Sequence, residues 1–336
     1  MDRRQFIRSS GVLTAGSLLA GTGLGDVFRV SDMAKPNLSR SLTKIAFGSC
    51  NRTHKDQSFW DTIAKLEPDL WISLGDNIYA DDLSIGDRLT KYRQLRANFH
   101  YSRFVETIPV IGTWDDHDYA SNNCGGEFEE KSMSRELFLD FFDLDFRKFN
   151  DISGVYQSFT FGPRGQRTKI VLLDCRYNMD AARTHKQLLG QEQWHWLDRE
   201  LASADFDLLI LGSSIGLTSE AVGLGIEGWA SYGEDQHRLY SSLNALNLPT
   251  LILSGDRHQA DISRIKLESG ANIYEFMSSG LTHALPIPIP NSARISQLIG
   301  ERNFGWLEID WNAPRPSLTM QIRSPSSGLI YDQFRV

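Results

Sequence analysis

The chain is poor in cysteine, in net positive charge and in long apolar runs, and each shortage excludes something. Three cysteines, Cys50, Cys124 and Cys175, stand far apart with no CxxC pair among 336 residues. That argues against a disulfide-built scaffold and leaves a thiol free for other work. Lysine and arginine number 35 against 42 aspartates and glutamates, a formal net charge of −7. Such a balance disfavours general binding to nucleic acid or to anionic lipid surfaces. A polyanionic substrate would need local cations, which bound metals could supply. No stretch approaches the roughly 20 apolar residues that span a bilayer. There is no glycine-rich phosphate loop after the first strand, no internal repeat and no low-complexity segment. What remains is an ordinary globular composition, long enough for one large domain or two smaller ones.

The first residues carry an address. Arg3-Arg4-Gln5-Phe6-Ile7 precedes a mild apolar segment rich in glycine and alanine. This is the twin-arginine export pattern, and residues 1–30 are read as a signal peptide outside the fold. The segment holds no cysteine, so no lipid anchor and no stable membrane attachment is expected. Residues 31–43 are polar, contain Pro36 and read as a linker. The folded domain is then 44–336, exported through the twin-arginine machinery and periplasmic or secreted.

Within that domain three apolar runs each stop at a turn bearing aspartate. Leu70–Leu74 is followed by Gly75, then Asp76, Tyr79, Asp81 and Asp82. Val110–Thr113 leads into Trp114-Asp115-Asp116-His117-Asp118, and 251–253 leads into Ser254-Gly255-Asp256-Arg257-His258. A buried strand has room for charge only at its carboxyl end, where open α/β sheets place ligands. Aspartate and histidine converging there are the ingredients of a metal-assisted hydrolytic site. A fourth run, 44–47, ends in Gly48-Ser49-Cys50-Asn51-Arg52. Cys50 can be a metal ligand, a nucleophile or a packed small residue, and the sequence leaves all three open. Cys124, His195 and His237 read as incidental or packed.

Helical spacing is expected over 58–66, 87–100, 102–106, 133–142, 192–201 and 235–246. A hairpin joins 154–161 to 169–173, a strand covers 208–211, and 216–233 reads as a glycine-rich loop. Strands are expected again over 262–267, 271–276, 304–311, 317–323 and 329–336. Alternation of strand and helix followed by mostly strand suits sheets covered by helices.

With these motifs in hand, the chain resembles the calcineurin-like metallophosphoesterases, and among them the alkaline phosphatase D family. The resemblance spans roughly 42–335. It rests on Phe47-Gly48-Ser49-Cys50, Leu74-Gly75-Asp76-Asn77-Ile78-Tyr79, Trp114–Asp118, Leu173-Asp174-Cys175-Arg176 and Ser254–His258. It implies a four-layer α/β sandwich of two packed mixed β-sheets flanked by helices, the C-terminal part mainly antiparallel. It implies hydrolysis of a small-molecule phosphate ester at a dinuclear centre of Fe(3+) and Ca(2+) or another divalent metal. Cys50, Asp76, Tyr79 and His258 would hold the iron, and Asp76 would bridge to a second metal shared with Asp116 and Asp256. His117 matches the family histidine that assists at the substrate. Arg52, Arg176 and Arg257 are candidate phosphate contacts, since guanidinium matches a phosphate face. Each could equally be an ion-pair residue. Cys50, Asp116 and Asp256 depart from the wider superfamily, and its histidine on the 208–211 strand is absent, with Ser213 and Ser214 nearby. Two other readings stay open: an exported metal-binding protein without catalysis, and a Cys50-dependent hydrolase without metal.

Overall fold

Short aliphatic runs closed by glycine or serine form the strands. The computed structural model describes residues 33–180, 187–203, 205–220, 226–246 and 248–336; the twin-arginine segment lies outside them. One sheet contains β1 (Lys44–Gly48), β2 (Leu70–Leu74), β3 (Val110–Thr113), β10 (Phe304–Asp310), β11 (Ser317–Arg323) and β12 (Ile330–Arg335), in the order β12-β11-β10-β1-β2-β3. The other contains β4 (Gln157–Phe161), β5 (Thr168–Leu172), β6 (Leu208–Ser213), β7 (Thr250–Ser254), β8 (Ala260–Lys266) and β9 (Asn272–Ser278), in the order β4-β5-β6-β7-β9-β8. β1, β2 and β3 are parallel, as are β5, β6, β7 and β9. The last three strands pair antiparallel, as expected.

Period-two alternation decides the layers. Ile45, Phe47, Leu70, Ile72 and Leu74 face Ile170, Leu172, Ile210, Leu251 and Leu253 in a shared core between the sheets. Phe47 meets Phe276 edge to face at 4.8 Å. The opposite face of the first sheet, with Ala46 and Trp71, packs on helices α1 (Phe59–Ala64), α2 (Ile85–Arg96), α3 (Phe99–Thr107) and, after the short α4 (Asp116–Tyr119), α5 (Lys131–Phe141). The outer face of the second sheet, with Val171, Leu209 and Leu211, packs on α6 (Gly190–Ala202) and α7 (Gly233–Leu246). The result is helices, sheet, sheet, helices. The polar stretch read as a linker lies against this body: Met33 and Leu42 are buried, and Ala34 N–H donates to Val105 O at 2.7 Å.

Register brings the carboxyl ends level. Gly48 pairs with Ser73, Leu74 with Thr113, and Ser213 with Ser254. The Asp-bearing turns therefore leave the sheets at one edge.

Candidate metal centre

Each turn is locked to its neighbours by backbone chemistry. Gly75 has φ +99°, and a Cβ there would lie 2.5 Å from Asp115 Cβ, so only glycine lets the turns after β2 and β3 touch. Asp118 closes the contact: its Oδ1 accepts from Asn77 N–H at 2.8 Å and Ile78 N–H at 3.2 Å, and its Oδ2 accepts from Asp115 N–H at 3.0 Å. That last bond is half of a capping box, so Trp114–Asp118 is the start of a helical turn rather than a loop. Asn51 N–H donates to Asp76 O at 2.8 Å, and Gly255 N–H donates to Ser214 O at 3.1 Å.

Eight non-glycine residues have positive φ among the described residues, and four of them are Cys50 (65°), Asp76 (52°), Asp256 (75°) and His258 (56°). Left-handed backbone costs energy in non-glycine residues and collects at functional sites. All four are expected metal ligands. Asp76, Asp116 and His117 offer ligand atoms that all lie within 4.8 Å of one another. Asp76 Oδ2 accepts from the Tyr79 hydroxyl at 2.9 Å, while Asp76 Oδ1 and His258 Nδ1 are buried with no partner among the described residues. Cys50 Sγ lies 3.6 Å from Asp256 O. Oxygen, nitrogen and sulfur donors with orphaned lone pairs fit the cations that the motifs imply.

The electrostatics say the same. Burial, then Asp116, Asp115, Asp118 and Asp256, pushes the Asp76 carboxyl well above the ordinary carboxylate range. Asp256 is raised by burial and by Asp115, Asp116 and Glu227. The Cys50 thiol and Tyr79 phenol are raised by burial and then by Asp76. Burial pulls His258 down to about 4, helped by Arg52 and His117. A pocket that resists ionising its own donors is short of positive charge.

His117 is held differently. Its Nδ1 faces Asp81 Oδ1 at 2.6 Å, and its ring lies 4.2 Å from that of Tyr79. Asp81 also accepts from Asn122 N–H at 3.0 Å. Burial works against protonation of His117, but Asp81 and Asp116 outweigh it and raise the imidazole above its usual range.

The comparisons with known proteins agree with this geometry. The profile of the PhoD-like phosphatase family matches residues 45–296. The chain belongs to that family. It is 23% identical over 321 residues to alkaline phosphatase D of Bacillus subtilis (strain 168), covering 78% of this chain and 54% of that protein. The chain thus spans about half the length of this curated relative. A solved structure of PhoD superposes with TM-score 0.69 at 19% identity, covering 87% of this chain and 67% of the other. Purple acid phosphatase PPD1 from yellow lupin (Lupinus luteus) seeds gives TM-score 0.64 at 14% identity, covering 88% and 54%. The two-sheet, helix-flanked fold is the metallophosphatase fold of these neighbours.

In this PhoD-like chain two of the three candidate arginines are engaged by protein groups. Arg176 is fully buried: Nε donates to Asp115 Oδ1 at 2.6 Å and Nη2 meets Glu227 Oε2 at 2.5 Å. Both of these partners are buried carboxylates. Arg257 donates to Glu227 O at 3.1 Å. It runs so close beside Gly228 that a Cβ on that glycine would lie 2.8 Å from Nη2. Only Arg52, half-buried with its guanidinium carbon 4.9 Å from the Tyr79 ring centroid, stands at the site.

Two residues that sequence reasoning passed over stand in the site. Asp81 entered only as one acidic residue of a turn, not as the partner of His117. His283 was not singled out at all. Its ring lies 4.1 Å from that of His258 and its Nε2 is 3.5 Å from Tyr79 Oη. Burial, then His258 and Arg52, lowers it to about 3. The available signal was its position five residues past the end of β9, where the other functional turns also begin. Among the described residues no helix is long and apolar enough to cross a membrane.

Proposed function

We propose that this chain hydrolyses phosphate mono- or diesters with a dinuclear metal centre. The observation that carries the reading is Asp76: a fully buried carboxylate with one oxygen unpartnered, in a cluster whose Asp76, Asp116 and His117 ligand atoms lie within 4.8 Å of one another. Without a cation such a group is costly. In this reading Cys50, Asp76, Tyr79 and His258 hold ferric iron, and Asp76, Asp116 and Asp256 share a harder ion such as calcium. When bound, the cations would neutralise the ester and acidify a water for in-line attack. Asp76 can serve both because one carboxylate offers two oxygens. Asp81 holds His117 Nδ1, which leaves Nε2 to protonate the leaving oxygen. Arg52 offers the guanidinium that meets the phosphate.

We also infer that residues 1–30 are an export leader and that the domain acts outside the cytoplasm. Changing Arg3 and Arg4 to lysine should then trap precursor inside; normal export of that variant would sink the idea.

The enzymatic reading is tested with chromogenic mono- and diesters. The metal-loaded chain should turn them over, a chelator should stop it, and iron with calcium should restore it. Activity that survives chelation would favour Cys50 as a nucleophile. Tight metal binding with no turnover of any ester would favour a binding protein. Tyr79→Phe should keep the fold and fade or shift the visible charge-transfer band that ferric phenolate gives; an iron-free, colourless, active enzyme defeats the ligand assignment.

A further inference from the structure

We propose that His283 is a further ligand of the metal assigned to Cys50, Asp76, Tyr79 and His258. The inference deepens the dinuclear reading and rests on it. The turn that carries His283 leaves β9 and is tied to the turn after β1. Leu281 N–H donates to Ser49 O at 3.3 Å, and Leu285 N–H donates to His258 O at 2.9 Å. The ring is thereby held beside His258, with Nε2 toward Tyr79 Oη at 3.5 Å.

Counting hydrogens fixes the tautomer. Thr282 Oγ1 lies 3.4 Å from His283 Nδ1. The single hydroxyl hydrogen of Thr282 goes to Cys50 O at 2.9 Å, and the same oxygen accepts from Arg52 N–H at 2.8 Å. With that hydrogen committed, the contact is satisfied by a proton on Nδ1, the tautomer that frees Nε2 to act as a ligand. The hydroxyl hydrogen of Tyr79 is likewise committed to Asp76 Oδ2. Nε2 therefore presents a lone pair to the site, and neither neighbouring hydroxyl supplies it a hydrogen. Two donors each about 2.1 Å from one ion stand about 3.0 Å apart at a right angle and about 3.4 Å apart at the tetrahedral angle. The Tyr79–His283 separation of 3.5 Å lies just above that range. A neutral imidazole would add a second nitrogen donor beside that of His258.

The test uses the full mature chain loaded with ferric iron. His283→Asn keeps an amide near Nδ1 for Thr282 and removes Nε2. His283→Gln places an amide group near the lost Nε2. The Asn variant should surrender iron to a competing chelator at least the roughly 10–100-fold more readily that loss of an outer partner costs. The Gln variant should recover part of that. A mere hydrogen bond to the Tyr79 oxygen would also move the visible band, so the deciding measurement is the nitrogen count. With ¹⁵N-histidine, pulsed electron paramagnetic resonance should find two ligating imidazoles in the parent and one in the Asn variant. If the Asn variant does not fold, the same count on the Gln variant decides. An unchanged count overturns the inference whatever the turnover. A parent chain that takes up no iron fells the metal reading itself, and this inference with it.

Discussion

Asp76 and Asp174 occupy equivalent places in the two sheets. Each follows a buried parallel strand within two residues of its end, and each is only 1% exposed. Their surroundings differ. Asp174 is saturated: Oδ1 accepts from Trp114 Nε1–H at 2.8 Å, Arg176 N–H at 2.8 Å and Tyr177 N–H at 2.9 Å, and Oδ2 accepts from Val155 N–H at 2.9 Å. Asp76 has one donor, Tyr79, one oxygen with none, and four carboxylates for company. The same motif, strand then aspartate, therefore makes a structural brace in one sheet and an unfinished site in the other. What separates them is not burial but who supplies the hydrogens.

The contrast is broken most sharply at Asp76. If Asp76 bridges two metals as proposed, Asp76→Asn should lower turnover by more than the roughly 10²–10⁴-fold that loss of a general acid costs, because both would lose a donor. It should leave the metal-free protein as stable as the parent or more so, since an uncompensated buried carboxyl disappears. Thermal unfolding and steady-state kinetics on one preparation check both halves; a destabilised metal-free variant would make Asp76 a brace after all. His117→Ala should keep its metals and lose on the order of 10²–10⁴-fold in turnover, less for esters with good leaving groups. Asp81→Asn should lose less and shift the pH profile, because it only holds Nδ1. Metal loss in His117→Ala would make that residue a ligand.

Asp174→Asn should behave in the opposite way to Asp76→Asn. An amide nitrogen facing four donors strands at least one of them, at about 1–3 kcal/mol each. Denaturant unfolding should show that loss while metal retention changes little. The smallest effect is pH dependence. His258 and His283 have folded pKa values of about 4 and about 3, below the ordinary 6.5, so they add stability as pH rises to about 6.5. Asp115, raised by burial to about 7, and Asp76 and Asp256, also raised by burial, have folded values above 3.8. Their stabilisation is lost as pH climbs through those values. The metal-free chain should therefore weaken between about pH 6.5, where the histidine gain ends, and about pH 7, where Asp115 ionises, and bound cations should remove the decline. Calorimetry with and without chelator reads it; a metal-free protein that strengthens above pH 7 would contradict the charge deficit.

Much of this was legible beforehand. β-Branched and aliphatic runs gave the strands, and the Gly-Asp and Asp-His turns gave the edge where they end. The arginines were not, because a guanidinium that answers a buried carboxylate and one that awaits a phosphate have the same spelling. Arg176 meets Asp115 and Glu227 from 61 and 51 positions away, and Arg257 meets Glu227 from 30, in partnerships that only the fold creates. His283 escaped for a related reason. It sits before a Pro-rich stretch without an adjoining aspartate, and its importance comes from Thr282 reaching back to Cys50.

That reach has a consequence for how the protein comes into being. Thr282 and Cys50 are 232 positions apart, and His258 and Asp256 lie almost as far from the first strand. Loop closure on that scale comes late in folding, after local helices and hairpins. A chain still emerging from the ribosome owns Asp76, Tyr79 and His117 but lacks the other wall of the pocket. In the proposed reading, tight metal capture must then follow synthesis of nearly the whole domain, which would make metal retention a sensor of completed folding in truncated or slowly maturing chains.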